Sequence, residues 1–373
     1  MLRALTAVAA LLAGCRGGDH HAAPTSPLPK LPLSRDGAEE LRELDHTIAR
    51  YRTAHDRHLA DALLARAAIT SRLEDYVEAL DETARRVAAP DADNAAWRTR
   101  ALALSRVHRF AAAREALANV HEPADELAAT IDEATGRATP YFEHAARERP
   151  DPRTVTRWAA SLALTGRFEE ATALIPKAAA LIHDNPATLL SWLLFQWGRI
   201  YEQKGELAAA RAFYEEAHRR LPGYLEATVH LAQAMRATGG DPGALVAGAL
   251  AANRHPELLA LAGQTDAARA EWERYVAALP EAFASHAARF YLASDPARAL
   301  ALAEVDHGAR DTLEARALVV EAALAAKAPA RACELAGELA GGTRAQLFLA
   351  WRAFTACDRR AQADALAAQL GIH

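Results

Sequence analysis

The sequence predicts an all-α protein in which consecutive helical hairpins stack into an α-solenoid. Hydrophobic residues make up 51% of the 373-residue chain but aromatic residues only 6%, so its apolar content is mostly Ala and Leu, without the runs typical of strands. From about residue 38 the apolar spacing is helical, and Gly, Pro or Asp turns interrupt it at regular intervals. We expect about nine helix-turn-helix repeats stacked over residues 38–373. An irregular α-helical bundle is the alternative.

The start of the chain predicts an exported, lipid-modified protein. After Arg3, the stretch from Ala4 to Ala13 is apolar, long enough for a signal peptide and too short for a membrane span. Leu12-Ala13-Gly14-Cys15 resembles the lipobox of bacterial lipoproteins. The resemblance implies removal of residues 1–14, a diacylglyceryl group on the Cys15 sulfur and acylation of the new amino terminus. An ordinary secretory signal that ends at a cysteine is the alternative.

Residues 15–37 are expected to form a disordered tether between the lipid anchor and the repeats. The segment contains Gly17-Gly18 and a proline-rich run from Pro24 to Ser34. Such sequence buries too little apolar surface to fold by itself. Arg16 follows the cysteine, where Asp would signal inner-membrane retention in enteric bacteria. The lipoprotein resemblance therefore favours the outer membrane, with the protein facing the periplasm.

The clearest repeating unit is Ser191–Tyr224, SWLLFQWGRIYEQKGELAAARAFYEEAHRRLPGY. Gly198 and Ala210 are small enough for two antiparallel helices to approach closely, Gly205 permits the turn, and Pro222 ends the second helix. A single hairpin cannot bury its own apolar face, so the pattern has to recur. The unit resembles a tetratricopeptide repeat (TPR), a helix-turn-helix of about 34 residues. The resemblance implies that the repeats stack in a right-handed superhelix. The resemblance rests on Trp197, Gly198, Tyr201, Gly205, Leu207, Ala210, Tyr214, Ala217 and Pro222, with Leu194 where the family usually has Trp.

One small residue in each second helix marks the repeats along the chain. Most neighbouring markers lie 31 to 39 residues apart. The interval of 58 residues after Ala113 leaves room for an irregular hairpin over residues 123–150, and the interval of 24 before Ala268 implies a shortened first helix at residues 256–263. The nine markers are Ala79, Ala113, Ala171, Ala210, Ala244, Ala268, Ala299, Ala332 and Ala363.

No pattern in the chain predicts catalysis, a metal site or a nucleic-acid surface, and we expect no cofactor. The 43 basic and 48 acidic residues alternate closely and leave a formal charge of -5, so no basic face for nucleic acid stands out. Adjacent carboxylates such as Glu215-Glu216 diverge around a helix and cannot form an acid–base pair. His20-His21 in the tether, and His55 with His58, are the histidine pairs considered as metal ligands. Solvated side chains explain both.

The TPR resemblance implies an interaction module whose first helices line a concave groove for a peptide or protein partner. Arginines and aromatic residues dominate binding hot spots. Arg199 and Arg236 are candidates for clamping a carboxylate between planar forks. Packing of Trp192 and Phe195 against the neighbouring repeat is the alternative to their exposure in the groove. The groove positions that the resemblance implies are Arg98, Arg153, Trp192, Phe195, Arg199, Glu202, Gln233 and Arg236.

The sequence thus predicts a lipid-anchored, non-catalytic scaffold of the bacterial cell envelope. The alternative is an envelope enzyme or metal-binding protein that uses Tyr141, Glu143 and His144 in the irregular 123–150 segment. A deep polar pocket at those residues would favour the alternative. A continuous open groove would favour the scaffold.

Cys333 and Cys357 are expected to lie close enough for a disulfide. In the repeat register, Cys333 begins a second helix and Cys357 ends the first helix of the next repeat, so both fall at the same end of the stack. Export would place them in an oxidising compartment. We expect a Cα separation under about 7 Å, with two buried thiols as the alternative.

Overall fold

The computed structural model describes residues 28–372, and within that range the chain forms 21 α-helices and one 3₁₀-helix, with no strand. The all-α prediction is therefore confirmed. Residues 1–27, with the signal peptide, Cys15 and His20-His21, lie outside the described part of the chain. None of the described helices is long and apolar enough to cross a membrane.

A single helix, α1 (Gly37–Ala54), precedes twenty further α-helices in the described chain. Taken two at a time in sequence order, these are called hairpins, which gives ten hairpins defined by chain order alone. A 3₁₀-helix at Gly337–Gly341 follows the second helix of the ninth hairpin. The hairpins, each as first and second helix, are α2 Leu59–Thr70 and α3 Leu73–Val87; α4 Asn94–Arg106 and α5 Phe110–Leu117; α6 Asp125–Ala134 and α7 Tyr141–Glu148; α8 Pro152–Leu164 and α9 Phe168–Ala180; α10 Ala187–Lys204 and α11 Leu207–Arg220; α12 Leu225–Ala237 and α13 Gly243–Ala252; α14 Pro256–Leu261 and α15 Thr265–Ala278; α16 Pro280–Tyr291 and α17 Pro296–Ala309; α18 Leu313–Ala325 and α19 Pro329–Ala336; α20 Arg344–Ala356 and α21 Arg360–Leu370.

These helices form two compact units. Of the described residues, unit 1 comprises 28–43, 145–163 and 167–264. Unit 2 comprises residues 44–144, 164–166 and 265–372. Unit 1 therefore contains α9 to α14 and most of α8, whereas unit 2 contains α2 to α6, α15 to α21 and most of α1. Within each unit, helices that follow one another in the chain pack side by side, as expected for stacked hairpins.

A recurrent turn joins the two helices of a hairpin. In the hairpin of α10 and α11, Gly205 has a φ of 88°, and the N–H of Glu206 donates to the carbonyl of Tyr201 over 2.9 Å. Glycine adopts this left-handed conformation without the steric cost of a Cβ atom. His108 and Lys327 occupy the corresponding position in two other hairpins, with φ of 58° and 57°. The turn geometry is thus retained where the sequence lacks the expected glycine.

Eight of the nine marker alanines are buried in second helices, as close approach of the paired helices requires. Ala244 is the exception: it is exposed in the first turn of α13, and Val246 takes the buried position two residues later. The two expected irregularities are present. Helices α6 and α7 form the irregular hairpin, and α14 is a first helix of only six residues.

Unit 2 has one hydrophobic core built from two distant stretches of chain. The rings of Tyr76 and Phe283 meet at 6.1 Å in an edge-on arrangement. Arg274 donates to the Glu74 carboxylate over 2.7 Å, across 200 positions of sequence. These contacts join α3 to α15 and α16 in addition to the stacking of neighbours, and the repeat pattern does not predict them.

The structure corrects the predicted disordered tether at its described end. The Arg220 guanidinium donates to the Pro32 carbonyl over 2.8 Å, and the Asn185 side-chain amide donates to the Leu33 carbonyl over 3.0 Å. The Arg35 N–H in turn donates to the Asn185 carbonyl over 3.0 Å. Proline-rich chain cannot fold alone, but here unit 1 supplies the hydrogen-bond partners that the segment lacks.

Candidate interaction surface

Unit 1 carries seven of the eight predicted groove residues, and Arg98 belongs to unit 2. On α4, the Arg98 guanidinium lies 3.4 Å from both the Glu122 carboxylate and the Pro123 carbonyl. Arg153 is exposed in the first turn of α8. The other six lie on α10 and α12, which are the first helices of neighbouring hairpins and pack against each other. The surface these two helices share is called the α10–α12 face below.

A polar cluster around Glu202 joins α10, α11 and α12. The Tyr214 hydroxyl donates to the Glu202 carboxylate over 2.8 Å, and His230 Nδ1 lies 3.1 Å from the same oxygen. Arg199 Nε lies 3.4 Å from it. Burial alone would raise the pKa of Glu202, but His230, Arg199 and Tyr214 together lower it to about 2. The carboxylate is therefore ionised and committed to contacts inside unit 1.

Tyr214 is the hydrogen-bond donor at the centre of this cluster. Its side chain is fully buried, and burial next to the Glu202 carboxylate raises the pKa of Tyr214. The hydroxyl consequently keeps its proton and holds Glu202 in place. The sequence identified Tyr214 as a repeat position but did not predict its hydrogen bond to Glu202. His230 was not predicted as part of the site. His230 lies three residues before Gln233, so the helical spacing of the face was the available signal.

The structure corrects the assignment of Phe195 to the groove. Phe195 is only 2% exposed, and its ring centroid lies 5.3 to 5.7 Å from those of Tyr214, Tyr224 and His230. It fills the space between hairpins, as the packing alternative proposed. Trp192, one turn earlier on α10, is half-buried and keeps part of its ring accessible.

The two arginines considered as a carboxylate clamp are each engaged within unit 1. The Arg236 guanidinium donates to the Leu261 carbonyl, and Arg199 lies beside Glu202. They do not form an empty, preformed clamp. Gln233, one turn before Arg236, is exposed on the same helix.

The histidines considered as metal ligands do not converge with other donors. His58 Nδ1 lies 2.8 Å from the carboxylate of Asp56, two residues earlier, and both side chains are partly exposed. Within residues 28–372, no group of three or more His, Cys, Asp or Glu side chains is arranged to hold a metal ion.

The side chains proposed for an alternative enzyme or metal site lie on α7. Tyr141 and His144 are one turn apart, whereas Glu143 leaves the helix in another direction. A cavity of about 410 Å³ in unit 1 is lined by residues of α9 with Tyr201, Pro29 and Lys30. A second cavity, of about 240 Å³, lies among α2, α3 and α4 in unit 2. None of the three α7 residues lines either cavity.

Cys333 and Cys357 are paired in the structure, with their Cα atoms 6.6 Å apart. The separation is within the expected limit of about 7 Å. Cys357 caps the C-terminus of α20, as the repeat register predicted, whereas Cys333 lies in the middle of α19 and not at its start.

Comparison with known proteins gives no family model and no curated protein that matches this chain. Among solved structures, the P58(IPK) TPR domain is 13% identical, with a TM-score of 0.25, over 86% of this chain and 99% of that one. Naa15/Naa10 bound to HypK-THB is also 13% identical, with a TM-score of 0.29, over 89% of this chain and 68% of that one. Neither score is high enough to support an argument about function. By the geometry of its own hairpins, the described chain is a TPR-like α-helical repeat protein.

Proposed function

We propose that this protein is a lipid-anchored, non-catalytic scaffold of the bacterial cell envelope that binds a partner segment on the α10–α12 face. One observation supports the site. Trp192, Arg199, Gln233 and Arg236 lie on two adjacent first helices and keep part of their surface exposed. The lipobox-like sequence ending at Cys15 supports the anchor.

The chemistry of the face suits a protein ligand. Trp and Arg are the residue types that contribute most to binding hot spots. The buried contacts beneath them, Phe195 with His230 and Tyr214 with Glu202, fix the spacing of the helices before any partner binds. A preorganised face loses less conformational entropy on binding than a mobile one.

The donors on the face indicate what the partner segment presents. Glu202 and Arg199 are already paired within unit 1, so the polar groups that the face exposes to a ligand are mainly the side-chain amide of Gln233 and the exposed guanidinium of Arg236. These groups bind backbone carbonyls and carboxylates. We therefore expect an extended segment of another envelope protein, with an acidic side chain and an apolar residue that contacts Trp192.

Site-directed crosslinking tests the face. A photoreactive amino acid at Gln233 should capture a defined protein in native envelopes, and the combined variant Trp192→Ala/Arg199→Ala should abolish that capture. Arg219→Ala is the matched control because Arg219 is exposed on α11 and, among residues 28–372, pairs only with Glu216. Capture of the same protein at an unchanged yield by the double variant would show that the face is misassigned.

Labelling with a fatty acid tests the anchor separately. The full-length chain should incorporate labelled palmitate and sediment with membranes, and Cys15→Ala should lose both properties. A Cys15→Ala variant that is still acylated, or a parent chain that never is, would contradict the lipoprotein assignment.

A further inference from the structure

Residues 32–41 dock across the ends of α10 and α11 in unit 1. The carbonyls of Pro32 and Leu33 accept hydrogen bonds from the side chains of Arg220 and Asn185, respectively. The backbone N–H of Arg35 donates a third hydrogen bond to the Asn185 carbonyl. Arg220 is only 7% exposed, and Glu216 also holds its guanidinium at 2.7 Å. Glu216 of α11 therefore holds the Arg220 guanidinium together with the segment.

Glu40 supplies the N-terminal cap that α10 lacks in its own sequence. The residue before α10 is Pro186, whose side chain makes no capping hydrogen bond. The Glu40 carboxylate accepts instead from the N–H of Ala187 over 2.8 Å and of Thr188 over 3.1 Å. These N–H groups have no partner within the helix, and the positive end of the helix dipole favours a carboxylate there.

Close backbone approach completes the fit. A Cβ atom on Gly37 would collide with the carbonyl oxygen of Arg220, so glycine is required where α1 begins. Two carbonyls, one N–H, one carboxylate and one glycine of the segment thus have matched partners in unit 1. This complementarity distinguishes the segment from a linker that merely rests on the surface.

We propose that residues 32–41 form a clasp that fixes where the membrane tether leaves the folded protein, so that the α9 side of unit 1 faces the bilayer at short range. The proposal rests on the lipid anchor at Cys15 proposed above. Pro29 and Lys30, just before the clasp, line the same cavity as Ile175 and Pro176 of α9. The described chain therefore begins beside α9, at Leu28.

The clasp limits how far unit 1 can move from the anchor. Between Cys15 and Leu28 there are 12 residues, which span at most about 40 Å when fully extended. A tether free up to Gly37 would have 21 residues and would reach about 70 Å. The closed clasp thus shortens the reach of the protein and selects the side of unit 1 that lies next to the membrane.

Energy transfer on vesicles tests the orientation. The lipidated full chain carries a donor dye on Glu169→Cys, an exposed position of α9, and the vesicles carry acceptor-labelled lipids. Transfer should be strong with the clasp intact and should fall in Glu40→Ala/Arg220→Ala. The control Glu39→Ala/Arg219→Ala changes the two neighbouring residues, which pair only locally with Arg42 and Glu216, and should leave transfer unchanged.

Hydrogen exchange tests the clasp itself without a membrane. In Glu40→Ala/Arg220→Ala, the amides of Arg35, Ala187 and Thr188 should exchange roughly tenfold faster than in the parent chain, as expected for a lost cap. The milder Glu40→Gln, which keeps the shape of the side chain, should speed exchange at Ala187 and Thr188 while the rest of the chain keeps its protection.

The outcomes separate this proposal from the proposed function. Unchanged exchange in both variants would overturn the clasp, and faster exchange with unchanged transfer would overturn the orientation. A parent chain that does not associate with vesicles would overturn the lipid anchor and with it the orientation, whereas the exchange data would still decide the clasp.

Discussion

The Trp197 indole N–H donates a hydrogen bond to the Thr156 hydroxyl over 3.0 Å, and both side chains are fully buried. Trp197 lies on α10 and Thr156 on α8, the first helices of two successive hairpins in unit 1. Apolar packing between Ala- and Leu-rich helices is tolerant of small shifts, whereas a buried hydrogen bond is directional. This pair therefore fixes the register of one hairpin on the next.

Thr156→Val is expected to lower the free energy of unfolding by about 1–3 kcal/mol, because it leaves the buried Trp197 N–H without its acceptor. Urea denaturation followed by Trp fluorescence measures the change. Thr156→Ser keeps the hydroxyl and loses only a methyl group, so it should cost less. Equal losses in the two variants would show that packing, and not the hydrogen bond, holds this contact.

Gly198 is the point of closest approach between α10 and α11. An added Cβ atom would lie 2.5 Å from Cε1 of the buried Tyr214 ring. Gly198→Ala is therefore expected to destabilise the protein by about 1–3 kcal/mol through overpacking, although alanine is the better helix former.

Gly248→Ala is the matched control, because Gly248 lies within α13 with no atom in the way of a Cβ. It should stabilise the protein by roughly 0.5–1 kcal/mol. Opposite signs for the two substitutions in thermal or urea unfolding would support this interpretation of α10 and α11. A neutral or stabilising Gly198→Ala would contradict it.

The hairpins could be predicted because each one repeats the same local requirements. A small residue must stand where two helices meet, and Ala79, Ala113 and six further markers are buried for that reason. The short α14 and the Cys333–Cys357 pair followed from the same register. The prediction that Ala244 is buried was wrong because α13 starts after Pro242, which places Val246 at the buried position.

Contacts between distant parts of the chain could not be predicted, because no periodicity encodes them. The repeat pattern gives no reason for Tyr76 to meet Phe283, or for Glu40 to cap α10 across 147 residues. The burial of Phe195 depends on His230 and Tyr224, which belong to the next hairpin. Six of the predicted groove residues lie on α10 and α12, which pack against each other, but the exposed and buried members of this set could be separated only with coordinates.

His108 is expected to make unit 2 sensitive to mild acid. Its ring is half-buried and stacks on the ring of Phe110, and its Nδ1 lies 3.0 Å from the Glu281 carbonyl. Burial, with Arg310, lowers the pKa of His108 from 6.5 to about 4. The unfolded chain then binds more protons than the folded one between these values, so stability is complete above about pH 6.5 and falls as the pH drops towards 4.

The His108 contribution is at most about 3 kcal/mol across that window. His108→Asn removes the titration and keeps a residue type that tolerates the left-handed turn. Urea unfolding at pH 7.5 and pH 5 should show a smaller drop for the variant than for the parent. Burial also lowers the pKa of His218, so both proteins lose some stability at pH 5. The contribution of His108 is therefore the difference between the drop in the parent and the drop in the variant. An identical drop would contradict the assignment to His108.

Given the export proposed above, the Cys333–Cys357 pair is expected to be oxidised and to stabilise the last two hairpins. The bridge would close a loop with a sequence separation of 24, which in the chain-entropy account contributes about 3 kcal/mol by restricting the unfolded state. Thiol titration of denatured, unreduced protein acylated at Cys15 should find no free thiol, and reductant should lower the urea midpoint. Cys333→Ala/Cys357→Ala is the control, because its midpoint should not respond to reductant. Two free thiols in the parent protein would show that the cysteines are close but unbridged. The urea midpoint of the parent would then be as insensitive to reductant as that of the variant.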